Sequence, residues 1–304
     1  LSPYSFVLKN RGGTGVEIAF QERLGMVTDA QWVDLGNDQD LDLVVCGDWM
    51  RIMVIENDGN GKLAVSSTAG LPKLSGFWKT LAFGDFNQDG QLDIIAGNLG
   101  TNTVLSADEE HPIKLYLGDF DDNGSVDPLI FYRYFNRYLP LGSKDKFVSQ
   151  LPILKKNFVK YEDFAQVSSF EQLFPEGQDQ VVEIKEINEL RSMLFLSQND
   201  GYIAVPLPDR VQTGTVQDFY LDAEKGTIYY VASNQELSAV QGNAMDAKLG
   251  VAAQLDMATK TFMQDNWLPT PAGVNARTIV PLENGKYLMV TNNGYLYVVD
   301  LPQK

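Results

Sequence analysis

Three nine-residue stretches that share one spacing of oxygen-bearing side chains constrain this chain more than any other feature. Asp85-Phe86-Asn87-Gln88-Asp89-Gly90-Gln91-Leu92-Asp93 has such side chains at positions 1, 3, 5 and 9, with glycine at position 6. Asp119-Phe120-Asp121-Asp122-Asn123-Gly124-Ser125-Val126-Asp127 repeats the pattern. Asp34-Leu35-Gly36-Asn37-Asp38-Gln39-Asp40-Leu41-Asp42 keeps acids at 1, 5 and 9 but has Gly36 at 3 and Gln39 where the turn glycine belongs. The flanks Leu81-Ala82-Phe83 and Ile94-Ile95-Ala96 are β-type runs, so these are loops between strands. Strand, acidic loop and strand recurring in register imply a fold of repeated small sheets.

The spacing also carries chemistry. Calcium takes about six to eight hard oxygen ligands, and alternate residues of a tight loop can aim carboxylates at one centre. In the two complete loops Asp85, Asn87, Asp89 and Asp93, and Asp119, Asp121, Asn123 and Asp127, supply side chains, while Gln91 and Ser125 at position 7 offer backbone carbonyls. Asp34, Asp38, Asp40 and Asp42 form the incomplete third set. A helix–loop–helix calcium site needs glutamate at position 12, where this chain has Ala96 and Ile130. The expectation is two Ca2+ sites in β-loops with a third possible. In Asp218-Phe219-Tyr220-Leu221-Asp222 the pattern has decayed further.

The strand pattern extends along the chain. Leu43-Val44-Val45-Cys46, Ile52-Met53-Val54-Ile55, Thr227-Ile228-Tyr229-Tyr230-Val231 and Tyr295-Leu296-Tyr297-Val298-Val299 are β-branched or aromatic runs bounded by turn residues. They group into units beginning near Met26, Phe77, Ile113, Val181, Thr213 and Ala276. The chain therefore reads as all-β, a β-propeller of six blades (seven is the alternative), forming one domain over 1–304. The N-terminal strand Ser5–Lys9 is expected to complete the last blade and close the ring, leaving no long free sheet edge. Residues 142–174 interrupt the strands. There Phe147, Leu151 and Leu154 recur at helical spacing, Pro152 breaks it, and Ser168-Ser169-Phe170-Glu171 suits a capping box.

Composition removes several classes of function. Among 304 residues there are 24 basic and 40 acidic ones, a net charge of −16, which opposes phosphate-backbone binding and excludes a nucleic-acid partner. No apolar run approaches the roughly 18 residues of a membrane span. One cysteine, Cys46, excludes a disulfide framework, and one histidine, His111, excludes a multi-histidine metal centre. Cys46 lies in an apolar β-type run and reads as a small buried hydrophobe; His111 reads as a loop residue.

Phe83-Gly84-Asp85-Phe86-Asn87-Gln88-Asp89-Gly90-Gln91-Leu92-Asp93-Ile94-Ile95-Ala96-Gly97 and Leu117-Gly118-Asp119-Phe120-Asp121-Asp122-Asn123-Gly124 resemble the FG-GAP/VCBS repeats of β-propellers related to the integrin α head. Gly47-Asp48-Trp49-Met50, Gly97-Asn98-Leu99-Gly100-Thr101-Asn102 and Gln150-Leu151-Pro152-Ile153-Leu154-Lys155-Lys156-Asn157-Phe158 look more narrowly like the ASPIC/UnbV-bearing group, which includes cartilage acidic protein and bacterial surface proteins. The resemblance covers residues 24–174 and fades beyond Val181 to a worn trace at 242–246. It implies calcium in the Asp loops, an extracellular or cell-surface location (a bacterial outer membrane or periplasm), and a ligand-binding or adhesion module within a larger protein. No ligand is implied, and a glycan or a surface protein are the expected partners.

One stretch departs from the acidic average. Between Phe131 and Lys160, Arg133, Arg137, Lys144, Lys146, Lys155, Lys156 and Lys160 stand against Asp145 alone, a local +6 that leaves −22 for the remainder. Arg133, Arg137 and Tyr138 interleave cation and ring there, a pattern that can stack sugars and pair with acidic groups. The alternative is that these aromatics are sheet core and the lysines a solvated face. Catalysis is less expected than binding; a polysaccharide-active glycosidase or lyase remains the second reading, since 40 acids contain many possible carboxylate pairs.

Overall fold

The computed structural model describes residues 2–67, 70–175, 177–198, 201–222, 226–233, 248–270, 274–283, 286–292 and 294–300. The worn repeat trace at 242–246 lies outside them. The chain is mainly β, in antiparallel sheets consistent with a β-propeller. It divides into two compact units: Thr103–Glu189 form one, and Ser2–Asn102 with Leu190 onward form the other.

In the larger unit β1 (Ser5–Asn10) pairs with β2 (Val16–Glu22) as a hairpin. It does not join the C-terminal strands as expected. Gly12 at φ 70° and Gly15 at φ 104° turn the chain back at once, and such a short loop closes at less entropic cost than a pairing some 290 residues away. Next, β3 (Met26–Val33), β4 (Asp42–Arg51), β5 (Met53–Asn57) and β6 (Leu63–Val65) form a sheet, with β7 (Ser75–Phe77) also on β4. Then β8 (Thr80–Gly84) and β9 (Asp93–Gly97) pair around the second acidic loop.

Here the chain leaves this sheet and builds the whole smaller unit. That unit is β10 (Ile113–Gly118), β11 (Asp127–Tyr134), β12 (Arg137–Pro140), four short helices α1 (Lys144–Gln150), α2 (Leu154–Asn157), α3 (Tyr161–Ala165) and α4 (Phe170–Leu173), and β13 (Val181–Ile187). The strand order is β12-β11-β10-β13. Val181–Ile187 thus completes the sheet of β10, rather than opening a separate blade. Its alternating exposure marks a strand covered on one face, and Ile184 pairs with Tyr116. The helices bury Phe147, Leu151, Leu154, Phe158, Phe164, Phe170 and Leu173 against Phe120, Leu129 and Phe131. Pro152 separates α1 from α2. The cap of α4 falls one residue later than the sequence suggests: Ser169 accepts from the Gln172 amide, and Gln172 returns its Oε1 to the Ser168 N–H.

The chain then resumes the interrupted sheet as β14 (Met193–Gln198) and β15 (Gly201–Pro206), in the order β15-β14-β9-β8. A four-stranded sheet follows, β16 (Thr215–Asp222), β17 (Thr227–Ser233), β18 (Lys248–Asp256) and β19 (Thr261–Leu268). A three-stranded one ends the described chain, β20 (Ala276–Pro281), β21 (Lys286–Thr291) and β22 (Leu296–Asp300). Among the described residues this makes five sheets of three or more strands and one hairpin, grouped differently from the six sequence units.

Two sheet-to-sheet junctions repeat one device. Asp29 follows a bulge in β3; its Oδ1 accepts from Ala30 N–H at 2.8 Å and its Oδ2 from Leu81 N–H of β8 at 2.7 Å. Asp218 follows the matching bulge in β16; its Oδ1 accepts from Phe219 N–H at 2.8 Å and its Oδ2 from Ile279 N–H of β20 at 3.0 Å, with Thr278 Oγ1 also donating. The extra residue of each bulge re-aims the carboxylate at the next sheet. Asp218 is therefore a structural clasp and not a remnant of a metal loop. Asp218→Ala orphans a half-buried N–H and a hydroxyl and is expected to cost about 2–4 kcal/mol, with Asp29→Ala similar. Urea unfolding measures this, and a loss below about 0.5 kcal/mol would show the clasp to be incidental.

Candidate metal centre

The acidic loops share one backbone. Positions 4 and 6 are left-handed in all three: Asn37 and Gln39 at φ 54° and 72°, Gln88 and Gly90 at 59° and 83°, Asp122 and Gly124 at 56° and 83°. Gln39 thus keeps the turn that glycine makes elsewhere, at a cost of about 1–2 kcal/mol. The first aspartate organises each loop. Asp34 accepts from the amides of Asp38 and Gln39, Asp85 from Asp89 and Gly90, and Asp119 from Asn123 and Gly124, all at 2.8–3.1 Å. Position 5 then accepts from the position 7 amide: Asp38 from Asp40, Asp89 from Gln91, Asn123 from Ser125. These bonds fold the alternate side chains inward before any ligand is considered.

The ninth residue anchors the loop to its sheet. Asp93 is fully buried, its Oδ2 taking the Phe86 amide at 2.7 Å and its Oδ1 the Ser197 amide at 2.8 Å. Asp127 accepts from Phe120 N–H, and Asp42 from Asn57 N–H at 2.9 Å. Burial pushes the Asp93 carboxyl up to about 6, against its two amide bonds. Burial likewise raises Asp42 and Asp127.

The loops differ in how far their ligand atoms converge. One oxygen from each of Asp119, Asp121 and Asp127 lies within 4.8 Å of the others. Asp121 Oδ1 is buried and has no hydrogen-bond partner. In the second loop the Asn87 amide is instead drawn to Asp89, donating to its Oδ2 at 2.8 Å. The Ser197 hydroxyl also donates to Gln91 Oε1 at 2.6 Å. Ser197 is a participant that no local signal reveals, because it arrives on β14 about a hundred residues later. The first loop has no side chain at Gly36 to fill position 3. Asp40 leans instead on the turn after β5, where Asp40 Oδ1 and Asn57 Oδ1 are both buried without a hydrogen-bond partner.

Of the basic cluster, Arg133 and Tyr138 face each other across β11 and β12. Arg133 Nε donates to the Phe135 carbonyl at 2.6 Å. Arg137 Nη2 donates to the carbonyls of Ala165 and Val167 at 2.8 and 3.0 Å, so its guanidinium holds the chain after α3. Tyr138 is half-buried, with the Lys114 ammonium 5.5 Å from its ring centre. His111 is fixed in its loop by Asp108, whose carboxylate lies 3.1 Å from Nδ1. Cys46 is buried, and burial pushes its thiol up to about 12. No described helix is long and apolar enough to cross a membrane. No curated protein matches the chain. Residues 34–96, which hold the first two acidic loops and the strands around them, match the FG-GAP-like repeat.

Proposed function

We propose that the chain is a calcium-stabilised binding module on a propeller-type β scaffold, with metal held by the loops at 119–127 and 85–93. The observation that carries this reading is the convergence of Asp119, Asp121 and Asp127 oxygens within 4.8 Å, beside a buried Asp121 Oδ1 that has no hydrogen-bond partner. The donor set is all oxygen, which suits a hard cation such as calcium. Asp119, Asp121, Asn123, Asp127 and the Ser125 carbonyl would hold the ion in one loop; Asp85, Asn87, Asp89, Asp93 and the Gln91 carbonyl would hold it in the other. The first loop, lacking a ligand at Gly36, would bind more weakly.

Short loops with partly exposed ligands belong to the weak end of calcium affinity, where extracellular modules work. That supports placing the module outside the cell or on its surface, with a glycan or a protein as its partner. A calcium titration followed by thermal unfolding tests the metal claim. At about a hundred times the dissociation constant, a ligand bound only by the native state adds about 2.7 kcal/mol per site. Calcium is expected to raise Tm by several degrees and chelator to reverse it, with Asp121→Ala removing part of the shift. A melt that calcium leaves unchanged would sink the reading.

A further inference from the structure

In the smaller unit, the stretch that carries the positive charge also carries apolar side chains turned to solvent. Phe135 is 80% exposed, and Tyr134, Ile153, Val159 and Tyr161 are exposed as well. All five lie within 131–161, alongside Arg133, Arg137, Lys144, Lys146, Lys155, Lys156 and Lys160. The helices have already buried a full inner set of phenylalanines and leucines. Ile153, Val159 and Tyr161 are therefore surplus to the core.

The tip between β11 and β12 is held in place. Phe135 has φ 55°, a left-handed conformation that an aromatic residue adopts only at a cost. Arg133 braces its carbonyl, and the Tyr134 ring meets it edge-on at 4.8 Å. In the helical segment, Lys144 lies over the Tyr161 ring at 4.6 Å and donates to the Val159 carbonyl at 2.6 Å.

We infer that this stretch docks onto an anionic lipid surface, with Phe135 and Tyr134 entering the headgroup layer and the lysines facing the anionic heads. Three features select that occupant. Five of the seven cations are lysine, which protein interfaces deplete but anionic headgroups attract. Aromatic rings beside lysine and arginine are the pattern of the bilayer interface. Exposed Ile153 and Val159 have nothing to contribute to a sugar, whereas the acyl boundary takes them up.

The acids around the patch set its limits. Asp145 accepts from the Tyr161 hydroxyl, Glu162 pairs with Lys160 at 3.0 Å, and Asp163 accepts from the Lys160 amide. Counting Glu162 and Asp163, residues 131–163 still sum to +4. The −20 of the remainder repels the same surface, so binding is reversible and strongly salt-dependent.

The test is co-sedimentation of the whole chain with vesicles of phosphatidylcholine alone and with about one-third phosphatidylserine. Chelator is present throughout, so that calcium cannot bridge the acidic loops to lipid and failure of the calcium reading leaves this test intact. Binding is expected only to the anionic vesicles at about 0.05 M salt, with release at about 0.5 M. Phe135→Ser with Tyr134→Ser, and separately Lys155→Ala with Lys156→Ala, are each expected to weaken partition about tenfold, without changing the melting curve. No binding by the parent chain, equal binding to neutral vesicles, or indifference to both variant pairs would overturn the inference. Retention on a sulfated polysaccharide without vesicle binding would overturn it in favour of a glycan.

Discussion

Phe170→Ala is expected to destabilise the smaller unit by about 3–5 kcal/mol, the range for removing a fully buried phenylalanine. Phe170 is 2% exposed and sits at the centre of an aromatic cluster. It stacks on Tyr116 at 4.2 Å and 10°, with Phe120, Phe131 and Phe174 within 6.0 Å. Five rings fixed by one another have few ways to collapse into the space it would leave. The effect reaches the acidic loop at 119–127, because Phe120 is its second residue and donates its amide to Asp127. Calcium affinity at 119–127 should therefore fall, while that at 85–93 should not. Urea unfolding with and without calcium measures both, and a loss under about 1 kcal/mol would mean the cluster repacks.

Asp93→Ala is expected to be as damaging for a different reason. It strands the buried amides of Phe86 and Ser197, each worth about 1–3 kcal/mol when unpaired, and unfastens the second loop from β14. The cost should depend on pH. In the native state burial holds the Asp93 carboxyl at about 6, above its ordinary value of 3.8. The native state therefore holds the proton more tightly than the unfolded chain does. Without metal, the stabilisation this group contributes is complete below about pH 4 and is lost as pH rises through 6. Asp93→Ala should thus cost more at pH 4 than at pH 8 in chelator. Calcium held by these oxygens, as proposed, would compete with the proton, so calcium stabilisation should fade as pH drops below about 6. Melts across that range, with chelator and with calcium, should show opposite pH trends. Parallel trends would separate Asp93 from the metal.

What the sequence could reveal was set by how far apart the cooperating residues lie. The acidic loops are self-contained over nine residues, so their left-handed turns at Gly90 and Gly124 were legible. The helical interruption was legible from Phe147, Leu151 and Leu154, and its break from Pro152. Pairing was less so. Val181–Ile187 shows the same alternation whether it opens a blade or closes one, and only its return onto β10 decides. The N-terminal strand was assigned by an argument about free edges, while the glycines after it favoured a local hairpin. Asp29 and Asp218 act across sheets, and Ser197 acts between strands made about a hundred residues apart, where no spacing rule applies. Within the basic stretch, charge was visible but burial was not. Arg137 proved to be spent on two carbonyls, while Phe135 stands out in solvent.

The excursion of the chain between β9 and β14 has a consequence for synthesis. Ala96 pairs with Met193, so two neighbouring strands of one sheet are made almost a hundred residues apart. At about 5–20 residues per second, β8 and β9 wait several seconds on the ribosome with an apolar edge, Ile94-Ile95-Ala96, unfilled. In that interval the second acidic loop also lacks the amide of Ser197. The smaller unit carries all of its own strands, so its sheet has a complete set of partners before β14 is made. The time taken to make that unit sets how long the half-built sheet stays open to the wrong neighbour.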